Sequence, residues 1–217
     1  MAARRKPPAP WLKPAAHLVL SLPLLYILWK WGQTVLGDYG ALGANPVQFT
    51  IRFLGDWALR ALIAALGITP IAKITGWKPL MRIRRLTGLW AFSYVVLHVL
   101  SYFCMDRLFS FSALWEDVLK RVYITIGMAA LLLLIPLAVT STNGMVKRLG
   151  GRNWQRLHRA VYVIGILGVI HFEMMTRGER LQPWYHGAVL AFFLLYRLYD
   201  TIRTRQRRRL HARTQEA

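Results

Sequence analysis

From Val122 to Thr140 no residue carries a formal charge, and the same holds from Leu86 to Met105. Runs that long and that apolar leave few folds open. A helix needs about 20 mostly apolar residues to cross a bilayer, with a range of about 17–25. Six stretches approach that pattern: Pro14–Trp31, Phe49–Ala72, Arg85–Met105, Val122–Thr140, Trp154–Met174 and Pro183–Ile202. The expected fold class is therefore all-α, a polytopic membrane protein built as a six-transmembrane-helix bundle. Lys30 closes the first stretch, where its head can snorkel to the interface. The opening "MAARRKPPAPWLK" has the basic character of a signal peptide. No small-residue cleavage site follows the first apolar run, so that run reads as a retained helix.

Charge then gives the orientation. The chain is 55% hydrophobic yet carries a formal net charge of +20. Those two facts conflict in a soluble globule but agree in a membrane protein with basic loops. A nucleic-acid binder would not separate its charges by long oily runs. Basic residues cluster at Arg4, Arg5, Lys6 and Lys13, at Lys73, Lys78, Arg82, Arg84 and Arg85, at Lys147, Arg148, Arg152 and Arg156, and along the tail from Arg203 to Arg213. The alternate loops are poorer in them and hold Asp38, Asp106, Glu116, Asp117, Glu173 and Glu179. By the positive-inside rule both termini are expected in the cytoplasm. The expected organisation is a basic N-terminus over 1–13, a transmembrane domain over 14–202 and a basic tail over 203–217. No GxGxxG or Walker pattern is present, so no nucleotide-binding module is expected. The one cysteine, Cys104, excludes an internal disulfide, a CxxCH haem attachment and a cysteine-ligated cluster. A metal in this chain has to rely on histidine.

Of the six histidines, His211 lies in the basic tail and His186 near the start of the last apolar stretch. The other four, His17, His98, His158 and His171, fall inside the expected spans, where ionisable groups are costly and mark function. The plainer alternative is a neutral imidazole bonded to a neighbouring helix. His98 lies about 20 Å along its helix from Arg85, and His171 about 22 Å from Arg156. Both helices run outward, so the two imidazoles reach similar depth in the outer half of the membrane. Two facing imidazoles suit a bis-histidine haem iron, whereas zinc wants more ligands and only Glu173 is near that depth. Trp90, Tyr94 and Tyr102 share a helix face with His98 and are candidate walls for a macrocycle, or ordinary packing. His158 lies at the inner edge, roughly 20 Å from His171, too far to share one iron. A second, inner haem there would continue an electron path across the membrane, with His17 as the only other inner-edge histidine in a span. On an ideal helix, His158 and His171 point about 140° apart, so either a bend at Gly165 and Gly168 reconciles them or the two cofactors meet different faces of the helix.

Arginines at the inner edge suit anionic groups, because a guanidinium offers paired donors. Arg82, Arg84, Arg85, Arg152 and Arg156 are candidates for haem propionates or a flavin phosphate, against plain topogenic charge. Arg60 lies within the second span four residues after Asp56. An intrahelical ion pair is one account of it and a propionate contact the other.

The segments "TPIAKITGWKPLMRIRRLTGLWAFSYVVLHVLSY" and "TSTNGMVKRLGGRNWQRLHRAVYVIGILGVIH" resemble the ferric-reductase-like transmembrane family. "LKPAAHLVLSLP" and "GDWALRALIAALGITP" extend the likeness over nearly the whole chain. More narrowly, the pattern resembles the haem-binding membrane subunit of a bacterial methionine-sulfoxide reductase system. The resemblance implies haem b and FMN as cofactors, and places His98, His158, His171 and His17 on family histidines. His186 has no counterpart. Larger ferric reductases carry a second histidine on the third helix where this chain has Arg84 and Arg85. They also append a flavin and nicotinamide domain that is absent here.

What the resemblance implies for function is an electron-transfer subunit in the bacterial inner membrane, incomplete as an enzyme without a partner. Electrons would come from the quinone pool or a cytoplasmic flavin reductase. They would pass to a periplasmic molybdopterin subunit, MsrP, that repairs oxidised periplasmic proteins. Alternatives are a short ferric reductase, the cytochrome b subunit of another dehydrogenase, or a non-redox transporter or assembly factor. On topology alone the outer loops Asp38–Gln48, Asp106–Asp117 and Thr176–Gln182 are candidate docking surfaces.

Overall fold

A computed structural model describes the backbone of residues 9–176, 178 and 180–215, and the side chains of these up to residue 207. Arg4, Arg5, Lys6, Glu179 and the side chains of Arg208, Arg209, His211 and Arg213 lie outside the described residues. Every regular element among the described residues is helical: α1 (Leu12–Val35), α2 (Pro46–Ile74), a 3-10 segment (Lys78–Ile83), α3 (Arg84–Ser101) running into a wide π-type turn (Tyr102–Asp106), α4 (Phe111–Lys120), α5 (Val122–Val139), α6 (Asn143–Leu149), α7 (Gly151–His158), α8 (Ala160–Thr176) and α9 (Gln182–Gln215).

Five stretches are long and apolar enough to cross a membrane: Leu12–Val35, Pro46–Ile74, Lys78–Asp106, Val122–Val139 and Gly151–Thr176. They coincide with the first five stretches expected from the sequence. The sixth forms the first part of α9, which is helical but more polar, since it carries Arg197 and Asp200. The chain is thus an all-α, multi-pass membrane protein.

Local signals set the helix ends. The Asn45 side chain accepts from Gln48 N–H at 2.9 Å and Pro46 occupies the first position of α2, so this helix begins capped and pre-bent. Ser110 caps α4 and Thr142 caps α6 in the same way. Gly150, at φ 75°, turns the chain between α6 and α7.

α2 is the central helix. One face, with Leu54, Ala58 and Leu62, packs with α3, α5 and α8, and the other, with Leu59, Ile63 and Leu66, packs with α8 and α9. Lipid tails are as apolar as leucine, so close approach rather than water exclusion holds such helices together. Gly67 shows this: a Cβ there would sit 2.6 Å from the Phe193 ring of α9. α1 lies at the periphery, tied to α3 by Tyr94 Oη donating to Leu20 O at 2.7 Å and to α2 by Trp31 Nε1 donating to Thr50 at 2.9 Å. Three bonds gather the basic segments at one end of the bundle: Arg82 to Ala9 O, Arg85 to Asn143 Oδ1, and Lys73 to Asp200.

The fifth stretch differs from expectation. A single turn residue, Arg159, which keeps helical dihedrals (φ −69°, ψ −22°), separates α7 from α8. Gly165 and Gly168 of α8 face neighbouring helices. They admit Leu66 and Leu190, and Leu59, at 3.2–3.3 Å from where a Cβ would stand.

Candidate metal centre

α2 pairs with α3 and α5 pairs with α8, and each pair builds the same device. On α3, the Nδ1 edge of His98 lies over Gly55 of α2, with a hypothetical Cβ only 3.0 Å from Nδ1. On α8, His171 lies over Gly127 of α5, with that distance 2.9 Å. His98 Nδ1 reaches Ile51 O at 2.8 Å, and His171 Nδ1 reaches Tyr123 O at 2.6 Å. In both cases the carbonyl lies four residues before the glycine, so one helical turn supplies both the space and the acceptor.

A carbonyl only accepts, so each Nδ1 carries the proton and each Nε2 keeps its lone pair. The Nε2 edges face away from the glycines. No hydrogen bond to either Nε2 is present among the described residues, and both rings line a cavity of about 390 Å³. The ring centroids are 6.3 Å apart, with planes at 82°. Two metal–imidazole bonds of about 2.0–2.1 Å each, plus roughly 1 Å from each nitrogen to its ring centre, come to about 6–6.5 Å. The spacing of the pair would therefore allow His98 and His171 to hold one metal between them. Backbone carbonyls fixing the far nitrogens are the usual outer support for such ligands. Among the described residues no three or more His, Cys, Asp or Glu side chains gather to hold a bare ion. Two ligands suit a metal whose remaining positions are filled by a macrocycle.

The aromatic stripe beside His98 serves other purposes. Trp90 and Tyr94 face α1, where Trp90 Nε1 donates to His17 Nδ1 at 3.1 Å and Tyr94 is fully buried against Leu20. Only Tyr102 lines the cavity, and its hydroxyl donates to Asp117.

A second cavity, of about 350 Å³, lies towards the basic end. Leu62 and Leu134 border both cavities, so the two lie end to end. His158 lines the second one. Its Nδ1 reaches Trp154 O at 3.1 Å, its Nε2 lies 3.4 Å from Ser141 Oγ, and its ring stacks on Trp154 at 3.8 Å. His17 is exposed on α1 and does not reach this cavity. Arg84 and Arg85 line it and bond to Thr69 and Asn143. Arg152 and Arg156 are exposed on α7 and border neither cavity. Arg60 borders neither as well. It pairs with Asp56 at 3.5 Å and lies over Trp57.

Two arginines that the sequence did not single out complete the inner lining, Arg159 and Arg197. Arg197 reaches from α9 to Leu66 O at 2.6 Å and to the Tyr162 hydroxyl at 3.2 Å, while its Nε is buried with no hydrogen-bond partner. No carboxylate is among the described lining residues. The available signal was a charge inside an apolar stretch, the same signal that marks Arg60.

The sequence profile described as "Ferric reductase like transmembrane component" matches residues 54–169, from the turn before Gly55 to just short of His171. The chain belongs to the ferric-reductase-like transmembrane family. Within it, the chain groups with proteins described as the protein-methionine-sulfoxide reductase heme-binding subunit MsrQ. It is 48% identical over 183 residues to the one from Rhodospirillum rubrum, covering 84% of this chain and 86% of that protein. It is 47% identical over 182 residues to the one from Caulobacter vibrioides, covering 84% of each. It also matches magnetosome protein MamZ of Magnetospirillum gryphiswaldense, at 43% over 191 residues, which is 87% of this chain but 29% of that longer protein. The ferric-reductase-like module thus occurs both alone and inside a larger chain.

Proposed function

We propose that this chain is a haem b-binding, electron-transfer subunit of a protein-methionine-sulfoxide reductase system in the bacterial inner membrane. The names of the relatives support the haem and the reductase system. The observation that carries the reading is the His98–His171 pair, each ring fixed through Nδ1 and presenting Nε2 to one cavity. Bound there, haem supplies a centre that takes up and releases single electrons. The chain's own residues hold the metal, fix the tautomers and keep the surroundings dry. Leu62, Leu134 and Ile164 form apolar walls at the depth where water would otherwise compete.

The inner cavity suits a second anionic, ring-bearing cofactor, a haem or FMN. Arg84, Arg85 and Arg197 offer the charge and Trp154 with His158 a flat wall. His158 is the candidate metal ligand or ring contact there, and His17, held by Trp90, is not placed to join it. In this reading six spans put both termini in the cytoplasm, with the division 1–13, 14–202 and 203–217. Electrons enter at the basic end from the quinone pool or a cytoplasmic flavin reductase. They leave towards MsrP, a periplasmic molybdopterin subunit, across the outer loops Asp38–Gln48, Asp106–Asp117 and Thr176–Gln182.

The test is the visible spectrum of the purified full chain, oxidised and dithionite-reduced, beside His98→Ala and His171→Ala. A Soret band with sharp low-spin α and β bands is expected, with the low-spin signal of the outer centre lost in both variants. A wild-type chain without a Soret band, or a signal unchanged in both variants, overturns the reading.

A further inference from the structure

The cavity between His98 and His171 is polar at one end only. Towards the second cavity it closes on Leu62 and Leu134, whereas its other end is lined by Arg52, Asp106, Arg107 and Arg121. A buried carboxylate without a charged partner is strongly disfavoured. A flat apolar ring with two carboxylates on one edge therefore has a single acceptable direction in this cavity. Resting on the haem reading above, we propose that Arg52, Arg107 and Arg121 form a carboxylate-binding cluster that takes the propionates of the haem held by His98 and His171.

The cluster is built around Asp117, a carboxylate only 6% exposed. Arg107 Nε lies 2.9 Å from Asp117 Oδ2 and Arg121 Nε lies 3.0 Å from Asp117 Oδ1, so one buried carboxylate orients two guanidiniums. The Tyr102 hydroxyl donates a hydrogen bond to the same carboxylate, while Arg107 Nε is buried beside it with no hydrogen-bond partner. Arg107 Nη2 also meets Asp106 at 2.7 Å. A guanidinium has five N–H donors, so both arginines keep unused donors while lining the cavity. Arg52, one turn before Asp56 on α2, has no hydrogen-bond or ion-pair partner among the described residues. Three guanidiniums thus face Asp106 and Asp117, while Asp56 is engaged by Arg60. One positive charge is left over before any ligand enters. Asp117 and Tyr102 are positioning residues in this scheme, and the arginines make the contact.

The sequence pointed instead to the inner-edge arginines, and those lie beyond the Leu62–Leu134 wall. Arg107 follows the π-type turn and Arg121 lies between α4 and α5, and the sequence singled out neither.

The test uses the full chain in detergent, stripped of haem and reloaded with haem or with haem dimethyl ester, whose propionates are neutral. The low-spin signal that His98→Ala removes is the readout. Charge-assisted contacts predict that the wild type prefers haem by about tenfold or more. In Arg52→Gln and Arg121→Gln that preference falls severalfold, while affinity for the ester changes little. Lys120→Gln, exposed on α4 and paired with Glu116, keeps the full preference. Arg52→Gln decides the matter if Arg121→Gln fails to fold, because Arg52 has no partner to strand. An undiminished preference in Arg52→Gln, or an equal loss in Lys120→Gln, overturns the cluster while leaving the haem reading intact. Absence of a Soret band from the wild type overturns both.

Discussion

Gly55 and Gly127 are as much part of the centre as the histidines they face. A would-be Cβ stands 2.9 Å from the imidazole Nδ1 at Gly127, closer than real side chains come, and 3.0 Å at Gly55, tighter than most real contacts. Gly127→Ala or Gly55→Ala must push the ring away and stretch its bond to the carbonyl one turn earlier. Loss of such outer support typically costs about 10–100-fold in metal affinity. The expected result is a weaker haem complex with altered low-spin electron-paramagnetic-resonance g values, measured by haem titration and spectroscopy. Gly32→Ala on α1, where nothing lies within 4 Å and which lines neither cavity, is expected to change neither. Unchanged g values and affinity in both of the first two variants would show the glycines to be bystanders. The histidines were legible in the sequence because depth follows from counting along a helix. The glycines were not, since their role exists only across a helix pair. Arg197 was hidden for a similar reason: one more arginine near a basic tail looks topogenic until α9 is packed against Leu66 and Tyr162.

The break at Arg159 separates what the sequence read as one helix into α7 and α8. Neither proline nor glycine marks "HRAV", so local propensity gave no warning of the boundary. α7 carries His158 against Trp154 and Ser141, whereas α8 carries His171 into the other cavity. The two histidines therefore serve different chambers. His158→Ala is expected to leave the His98–His171 low-spin signal intact while changing the inner site, seen as loss of a second haem component or of bound flavin. Equal loss of every cofactor signal in His158→Ala, His98→Ala and His171→Ala would argue against two chambers. The α2–α9 contact sets a separate expectation at this scale. Gly67→Ala drives a methyl into the Phe193 ring, and overpacking of this kind costs about 1–3 kcal/mol. A lowered melting temperature in detergent, with the His98–His171 spectrum unshifted below it, is the expected outcome.

Whether α9 crosses the membrane decides the sidedness of the whole molecule. The apolar first part of α9 carries two charges, Arg197 and Asp200, and both have partners on neighbouring helices, Leu66 O and Tyr162 for the first and Lys73 for the second. Charges satisfied inward add little to the cost of crossing. A sixth span then returns the basic tail to the end where Arg82, Arg85 and Lys73 already gather. In the proposed orientation, which follows the positive-inside rule, that end faces the cytoplasm. Single-cysteine labelling tests it in a Cys104→Ser background, since Cys104 is the chain's one thiol. Ser112→Cys lies on exposed α4 and Thr204→Cys on exposed α9 beyond the apolar stretch. With six spans, an impermeant maleimide added to intact spheroplasts labels the residue 112 variant at once and the residue 204 variant only after lysis. If α9 instead lies along the outer surface, both label before lysis. The basic tail would then sit on the same side as the Asp117 cluster, and neither the Lys73–Asp200 pair nor the Arg197 bond to Leu66 O could form.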